Sequence, residues 1–266
     1  MNVNWVCEQM QKWAPTETAV PSDNVGLIVG DGARDVIKVL VALDLSMETI
    51  MEAIRGEYNI IVAHHPVISR HSSVGNSITA ETLLGRKLLA LIENRIAVYA
   101  AHTNLDMAKG GVNDVLFDKL ELKNKEPLLE INDLSMGLIG EIRFINLKDL
   151  ANFVKEKLGV KCARFVGSPD RIIKRVAFCS GNGTARDCFE AAIAKKADVY
   201  LTGDIGYHLA LEAVDREFAL IDYTHFASEN IIIETIASYL RESAKKEDFK
   251  LEVTEFTGKG QPFYNA

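Results

Sequence analysis

Two adjacent histidines, His64 and His65, follow the apolar run Asn59-Ile60-Ile61-Val62-Ala63 and are stopped by Pro66. An apolar run of this length closed by a proline reads as a buried strand, which puts two imidazoles at its carboxyl end. Two further segments end a similar run with a histidine and a carboxylate four residues on: Val98-Tyr99-Ala100-Ala101-His102 with Asp106, and Leu220-Ile221-Asp222-Tyr223-Thr224-His225 with Glu229. Three strand ends therefore offer nitrogen and oxygen donors and no thiolate. Such a donor set suits zinc, iron or manganese, and the lack of thiolates disfavours a purely structural zinc site. A single histidine at a strand end reads equally well as a hydrogen-bonded core residue. Five of the six histidines lie in or near these ends, and that joint placement points to metal.

Adjacent residues of an extended strand point to opposite sides, so His64 and His65 reach two different ions more naturally than one. With Glu229 as a bridge, a pair of ions about 3.5–4 Å apart is the arrangement expected, able to acidify water and clamp a substrate oxygen. The four-residue spacing places His225 and Glu229 on one face of a helix, and likewise His102 and Asp106. Asp106 has a second reading as a favourable charge at a helix N-terminus after the turn Thr103-Asn104. Asp204 and His208, in Thr202-Gly203-Asp204-Ile205-Gly206-Tyr207-His208, form a further polar set suited to supporting the ligands or moving protons. Gly181-Asn182-Gly183-Thr184 ahead of a helix is a weak signal for phosphate. The chain contains neither a P-loop nor a G-x-S-x-G pattern.

The elements that must position these groups alternate. The first half reads strand 36–44, helix 46–58, strand 60–64, helix 80–94 and strand 97–101. The second half reads strand 175–179, helix 184–196, strand 198–202, helix 208–217 and strand 218–222. This order calls for parallel strands and right-handed crossovers. Laying the halves over one another aligns His102-x-x-x-Asp106 with His225-x-x-x-Glu229, and His64-His65 with Gly203-Asp204. The expected fold class is α/β: two related α/β units with mainly parallel strands and the metal site in the interdomain cleft, because open parallel sheets bind ligands at their carboxyl edges. The expected boundaries are 1–125, completed by 218–266, for the first unit and 126–217 for the second. Residues 120–135 are polar and read as the boundary segment. Residues 69–77, rich in Ser, Gly and Asn, read as a loop over the site, either a lid or plain surface.

With 266 residues the chain has room for two ordinary domains. Its net charge of −7 excludes a general affinity for nucleic acid or acidic lipid, since both need a basic surface. No segment approaches the roughly 18 uninterrupted apolar residues of a membrane span, and the amino-terminal residues do not resemble a secretory leader. A cytoplasmic protein without membrane or nucleic-acid partners is the expectation. Cys7, Cys162, Cys179 and Cys188 lack any C-x-x-C spacing and read as reduced, mostly buried side chains.

A set of motifs then resembles a known family. Ser22-Asp23-Asn24-Val25-Gly26-Leu27, Ala42-Leu43-Asp44, Ala63-His64-His65-Pro66, Ala101-His102-Thr103-Asn104-Leu105-Asp106, Gly110-Gly111-Val112-Asn113-Asp114, Thr202-Gly203-Asp204 with Tyr207-His208, and His225-x-x-x-Glu229 resemble, in order, those of the Nif-three-like dinuclear-metal family, also described as type 2 homologues of GTP cyclohydrolase I. The resemblance runs from about residue 5 to the C-terminus. It implies a two-domain α/β subunit, two divalent ions held by His64, His65, Asp106, His225 and Glu229, and a homohexameric ring. Longer relatives carry an inserted domain for which this chain is too short. The family usually has Trp where this chain has Ser22, and often Lys where it has Gly206, so the substrate pocket departs from the pattern. The resulting expectation is a metal-dependent hydrolase of a small cytosolic molecule, with GTP as substrate if the cyclohydrolase name holds and with His102 or His208 moving protons. The alternative is a non-enzymatic regulatory or interaction protein whose metal pair serves the ring.

Overall fold

The computed structural model describes residues 1–69, 75, 77–131, 133–182, 185–258 and 261–263. In chain order the elements are α1 (Val3–Trp13), β1 (Gly26–Val29), β2 (Lys38–Ala42), α2 (Met47–Arg55), β3 (Ile60–Ala63), α3 (Leu83–Glu93), β4 (Ala97–Ala100), α4 (Thr103–Met107) and α5 (Val112–Lys119). There follow β5 (Lys123–Ile131), β6 (Leu134–Asn146), α6 (Leu147–Lys157), β7 (Arg164–Val166), β8 (Ile172–Phe178), α7 (Ala185–Ala194), β9 (Val199–Thr202), α8 (Tyr207–Asp215), β10 (Ala219–Asp222), α9 (His225–Glu229), α10 (Ile232–Lys246) and β11 (Glu252–Glu255). Helix starts follow local chemistry. Asn2, Ser46, Thr82 and Asn146 each turn a side-chain oxygen onto a backbone N–H of the first turn, which fixes where α1, α2, α3 and α6 begin.

The chain divides into two compact units, Met1–Leu105 with Ile232–Gly260 and Asp106–Ile231 with Gln261–Ala266. The first holds a five-stranded sheet in the order β1-β4-β3-β2-β11, in which only β1 runs antiparallel to its neighbour. Strands β2, β3 and β4 are buried at almost every position, which is why they read as unbroken apolar runs and not as alternation. One face carries Leu40, Ile61 and Val98 against Ile50 of α2 and Leu88 and Leu91 of α3. The register pairs Ala42 with Ala63 and Ala63 with Ala100, so the three parallel strands end in one row. Two residues past that row stand Asp44, His65 and His102.

The second unit holds a six-stranded sheet in the order β5-β6-β8-β9-β10-β7. Its centre, β8-β9-β10, is parallel, and β6 and β7 flank it antiparallel. Val176, Phe178, Leu201, Ile221 and Tyr223 form its core with Leu147 and Val154 of α6. The order β7-β10-β9-β8 repeats β1-β4-β3-β2 in both sequence and sense. The repeat therefore takes in the helix and antiparallel strand ahead of each parallel trio, α1 with β1 and α6 with β7.

Residues 120–135 are not a linker. Most of them form β5, a nine-residue strand paired antiparallel with the thirteen-residue β6. Because β5 is a sheet edge exposed along its first half, charged residues occupy positions that a two-residue period would reserve for apolar ones. Most of the loop 69–77 and the Gly183-Thr184 part of the glycine turn lie outside the described residues. Among those described, no helix is long and apolar enough to cross a membrane.

Candidate metal centre

The first unit brings three imidazoles together. His64 and His65 follow β3 and His102 follows β4. The ring centroids of His64 and His102 are 5.1 Å apart, and those of His65 and His102 are 5.4 Å apart. One nitrogen from each of the three lies within 4.8 Å of the others. Each ring is held through Nδ1: His64 to the carbonyl of Ala101 at 2.8 Å, His65 to Asp44 Oδ1 at 2.8 Å, and His102 to both carboxylate oxygens of Asp23 at 3.0 Å. An oxygen acceptor at Nδ1 keeps the proton there and leaves Nε2 as the donor the ring can offer to a cation, the usual support of metal-binding histidines.

Asp23 is anchored by more than one ring. Its Oδ2 accepts the backbone N–H of Thr103 at 3.1 Å and the Thr103 hydroxyl at 2.5 Å. Burial disfavours its charge, but the bonds from His102 and Thr103 outweigh that and hold its carboxyl well below the usual carboxylate range. Asn24, the next residue, donates to the carbonyl of Ile68 at 2.7 Å, which ties this loop to the segment leaving the histidine pair.

The second unit supplies Asp106, His225 and Glu229. Asp106 and Glu229 are buried, 6% and 3% exposed, a costly place for a carboxylate unless positive charge or hydrogen bonds compensate it. The Ser180 hydroxyl donates to Asp106 Oδ1 at 3.1 Å. Asn113 bonds the Asp106 carbonyl with its amide nitrogen and accepts the Ser180 N–H with its oxygen, both at 3.0 Å. On α9, His225 Nε2 lies 2.9 Å from Glu229 Oε2, so the four-residue spacing does place both donors on one face. His225 Nδ1 is held by Asp204 Oδ2 at 2.7 Å, the same support that Asp44 gives His65. Thr224, which caps α9, sits at φ +71°, a conformation uncommon for a β-branched residue, so the chain is strained one residue ahead of His225. Gly203 lets that segment approach, since a Cβ there would lie 2.5 Å from the His225 backbone nitrogen.

The ligand candidates read from the sequence thus stand just past strand ends, as His64 and His65 do after β3, or on the short helices α4 and α9 that follow β4 and β10, as Asp106, His225 and Glu229 do. Asp204 touches His225 at Nδ1. His208 lies exposed on the first turn of α8, its ring edge-on to Tyr207 at 5.5 Å. The supporting roles of Asp23, Asp44, Asn113 and Ser180 escaped the sequence reading. Asp23, Asp44 and Asn113 stood in the quoted motifs, but a residue that acts through one hydrogen bond has no spacing of its own to betray it.

Residues 1–262 match the sequence pattern of Duf34/NIF3 (NGG1p interacting factor 3). The chain belongs to that family. Among NIF3 relatives, it is 35% identical over 248 residues to a "GTP cyclohydrolase 1 type 2 homolog" of Clostridium perfringens, covering 91% of this chain and 92% of that protein. A Lactococcus lactis protein of the same name is 34% identical and covers 97% and 96%. The fold superposes on the Staphylococcus aureus protein SA1388 with a TM-score of 0.90 at 29% identity, covering 100% and 99% of the two chains. It superposes on reduced HcgD of Methanocaldococcus jannaschii with a TM-score of 0.81 at 28% identity, covering 97% and 98%. The NIF3 membership accords with a mixed α/β chain whose strand ends carry histidine and carboxylate donors suited to a metal ion.

Proposed function

We propose that this NIF3-family chain is a metal-dependent hydrolase of a small molecule, with His64, His65, Asp106, His225 and Glu229 holding two divalent ions. The observation that carries the reading is the support of the imidazoles: His65, His102 and His225 each meet a carboxylate through Nδ1, and His64 meets a carbonyl. A histidine needed only for packing has no use for this repeated arrangement, whereas a ligand gains both tautomer and orientation from it. The donors are nitrogen and oxygen alone, which fits zinc, iron or manganese. The chemistry such ions supply is Lewis acidity toward a substrate oxygen and acidification of water.

The chain's own residues supply the rest. His102, kept by Asp23 with its proton on Nδ1, presents Nε2 as a base beside His64 and His65. Asp204 holds the His225 ring, and the exposed His208 exchanges protons with solvent. Because relatives carry the name of a GTP cyclohydrolase homologue, nucleotides are the first substrates to test. A homohexamer accompanies this reading through the family resemblance, and light scattering reads it directly.

The test combines elemental analysis with a turnover screen. Purified protein reloaded with zinc, iron or manganese is expected to hold two ions per chain and to hydrolyse at least one member of a nucleotide, phosphoester and cyclic-amide panel. Glu229→Gln is expected to lose both ions, and His102→Ala to keep them while turnover falls about 100-fold. Saturation at a single ion removes the dinuclear part, and a panel without metal-dependent turnover leaves a regulatory metal protein.

A further inference from the structure

An open-mouthed recess of about 380 Å³ lies in the first unit, between one flank of α1 and the edge strand β1, and none of the metal-donor candidates lines it. Asn4, Cys7, Glu8 and Gln11 recur at intervals of three and four residues, so they form one ridge of α1 and make one wall. Val25, Gly26 and Leu27 make the other. Leu27 and Tyr99 are register partners across β1 and β4, so both side chains leave the sheet on the face toward the recess, while Val98 packs on the opposite face with Leu88. Tyr99 is 1% exposed, and its hydroxyl, shielded from water, has no hydrogen-bond partner among the described residues. A buried hydroxyl left unbonded costs free energy and is the exception in folded proteins. Gln11 only braces the wall: its Oε1 accepts the Thr16 N–H at 3.0 Å and its Nε2 donates to Glu17 at 2.7 Å. Glu8 is exposed at the rim, and among the described residues no lysine, arginine or histidine lines the recess.

We propose that this recess binds a small organic cation, an ammonium group on an apolar body about the size of one aromatic ring, with the Tyr99 hydroxyl as its acceptor and the Glu8 carboxylate as its counter-charge. The sign of the charge follows from the lining, since an anion would meet a carboxylate with no cation to offset it. Val25, Leu27 and the ring of Tyr99 suit an apolar body, and an aromatic ring also attracts a cation. The volume falls at the lower end of the roughly 300–1,000 Å³ of small-molecule sites. Reaching the hydroxyl requires rotation of rim side chains, of which Asn4, Glu8 and Leu27 are exposed. The site is independent of the metal-centre reading and can fail separately from it.

The experiment titrates benzylamine, benzyl alcohol and benzoate, three probes alike in shape and different in charge, into protein as purified and after chelator treatment, with thermal melting recorded on each sample. Calorimetry reads affinity. Prolonged alkylation followed by mass spectrometry reads location, because a ligand in the recess shields Cys7 but not Cys162, an exposed thiol of the other unit. Benzylamine is expected to bind best, equally with and without chelator, and to slow alkylation at Cys7 alone. Tyr99→Phe removes only the hydroxyl, so ligand-free protein should melt at or above the wild-type temperature while benzylamine binds about tenfold more weakly. Glu8→Gln should weaken benzylamine by a similar factor and leave benzyl alcohol unchanged. Tyr99→Phe protein that melts well below wild type would show the hydroxyl bonded within the fold and overturn the proposal. Benzylamine affinity that neither variant changes, binding lost on chelation, benzoate bound as well as benzylamine, or no binding of benzylamine at all would each overturn it too.

Discussion

Gly181 lies against Glu229 so closely that a Cβ on the glycine would fall 2.0 Å from the glutamate's Oε1 and 3.1 Å from His225 Nε2. It also sits at φ +56°, where a side chain is strained whatever the space. Gly159 gives the matching control, with φ +66° and nothing within 4 Å of the corresponding position. Gly159→Ala is expected to cost about 1 kcal/mol of stability, the left-handed penalty alone, and to spare metal binding. Gly181→Ala adds displacement of Glu229 and is expected to weaken metal binding about 10–100-fold. Chelator competition with both variants checks the difference, and equal affinities would remove Glu229 from the ligand set.

Asp44 and Asp204 offer a second test, because each holds a histidine while remaining about half exposed, 47% and 51% at the side chain. Replacing either by alanine removes orientation from His65 or His225 and leaves core packing alone. Both variants should melt close to wild type in the metal-free state and bind metal roughly 10–100-fold more weakly. A large loss of metal-free stability instead would make these carboxylates structural.

Asp23 gives the fold a pH dependence of known sign. Its folded pKa is held below the unfolded value, so the stabilisation is complete above about pH 4 and is lost as pH falls further. In chelator-treated protein, the gap in urea midpoint between wild type and Asp23→Asn is therefore expected to be widest near neutrality and to narrow progressively as pH falls below about 4, while remaining open at about pH 3. A gap that stays constant would show that the charge of Asp23 contributes nothing.

The cysteines should separate by reactivity. Cys162 is exposed, Cys179 and Cys188 are buried, and burial pushes the Cys7 thiol up to about 11. At about pH 8 only on the order of one Cys7 in a thousand is the reactive thiolate. Native protein is expected to label quickly at one thiol per chain, mapped to Cys162 by mass spectrometry, and denatured protein at all four. Fast labelling of Cys179 would contradict its burial.

Why the candidate site histidines were readable and their surroundings were not follows from how each is placed. His64, His65, His102 and His225 end buried parallel strands, and such strands announce themselves as unbroken apolar runs with a polar residue directly after. Residues at edges and surfaces carry no such mark. β5 is charged because it faces water, β7 is three residues long, and the repeat could be followed outward to α1 and α6 only once β1 and β7 were seen to occupy matching places. The reach of Asp23 to His102, across 79 residues, is a tertiary fact that no local spacing encodes.

The first sheet takes its edge strand β11 from the far end of the chain, paired in parallel with β2, and α10 packs against both. On the ribosome this reverses the order of completion. Asp106–Ile231 can close as soon as it emerges, whereas β2 keeps an unpaired edge until β11 is made, about 150 residues after the rest of its unit, or roughly 8–30 s at typical rates of elongation. The half begun first is finished last, and for that interval its histidines stand on a sheet with an open flank, which makes the nascent chain, more than the mature one, the form that needs protection from aggregation.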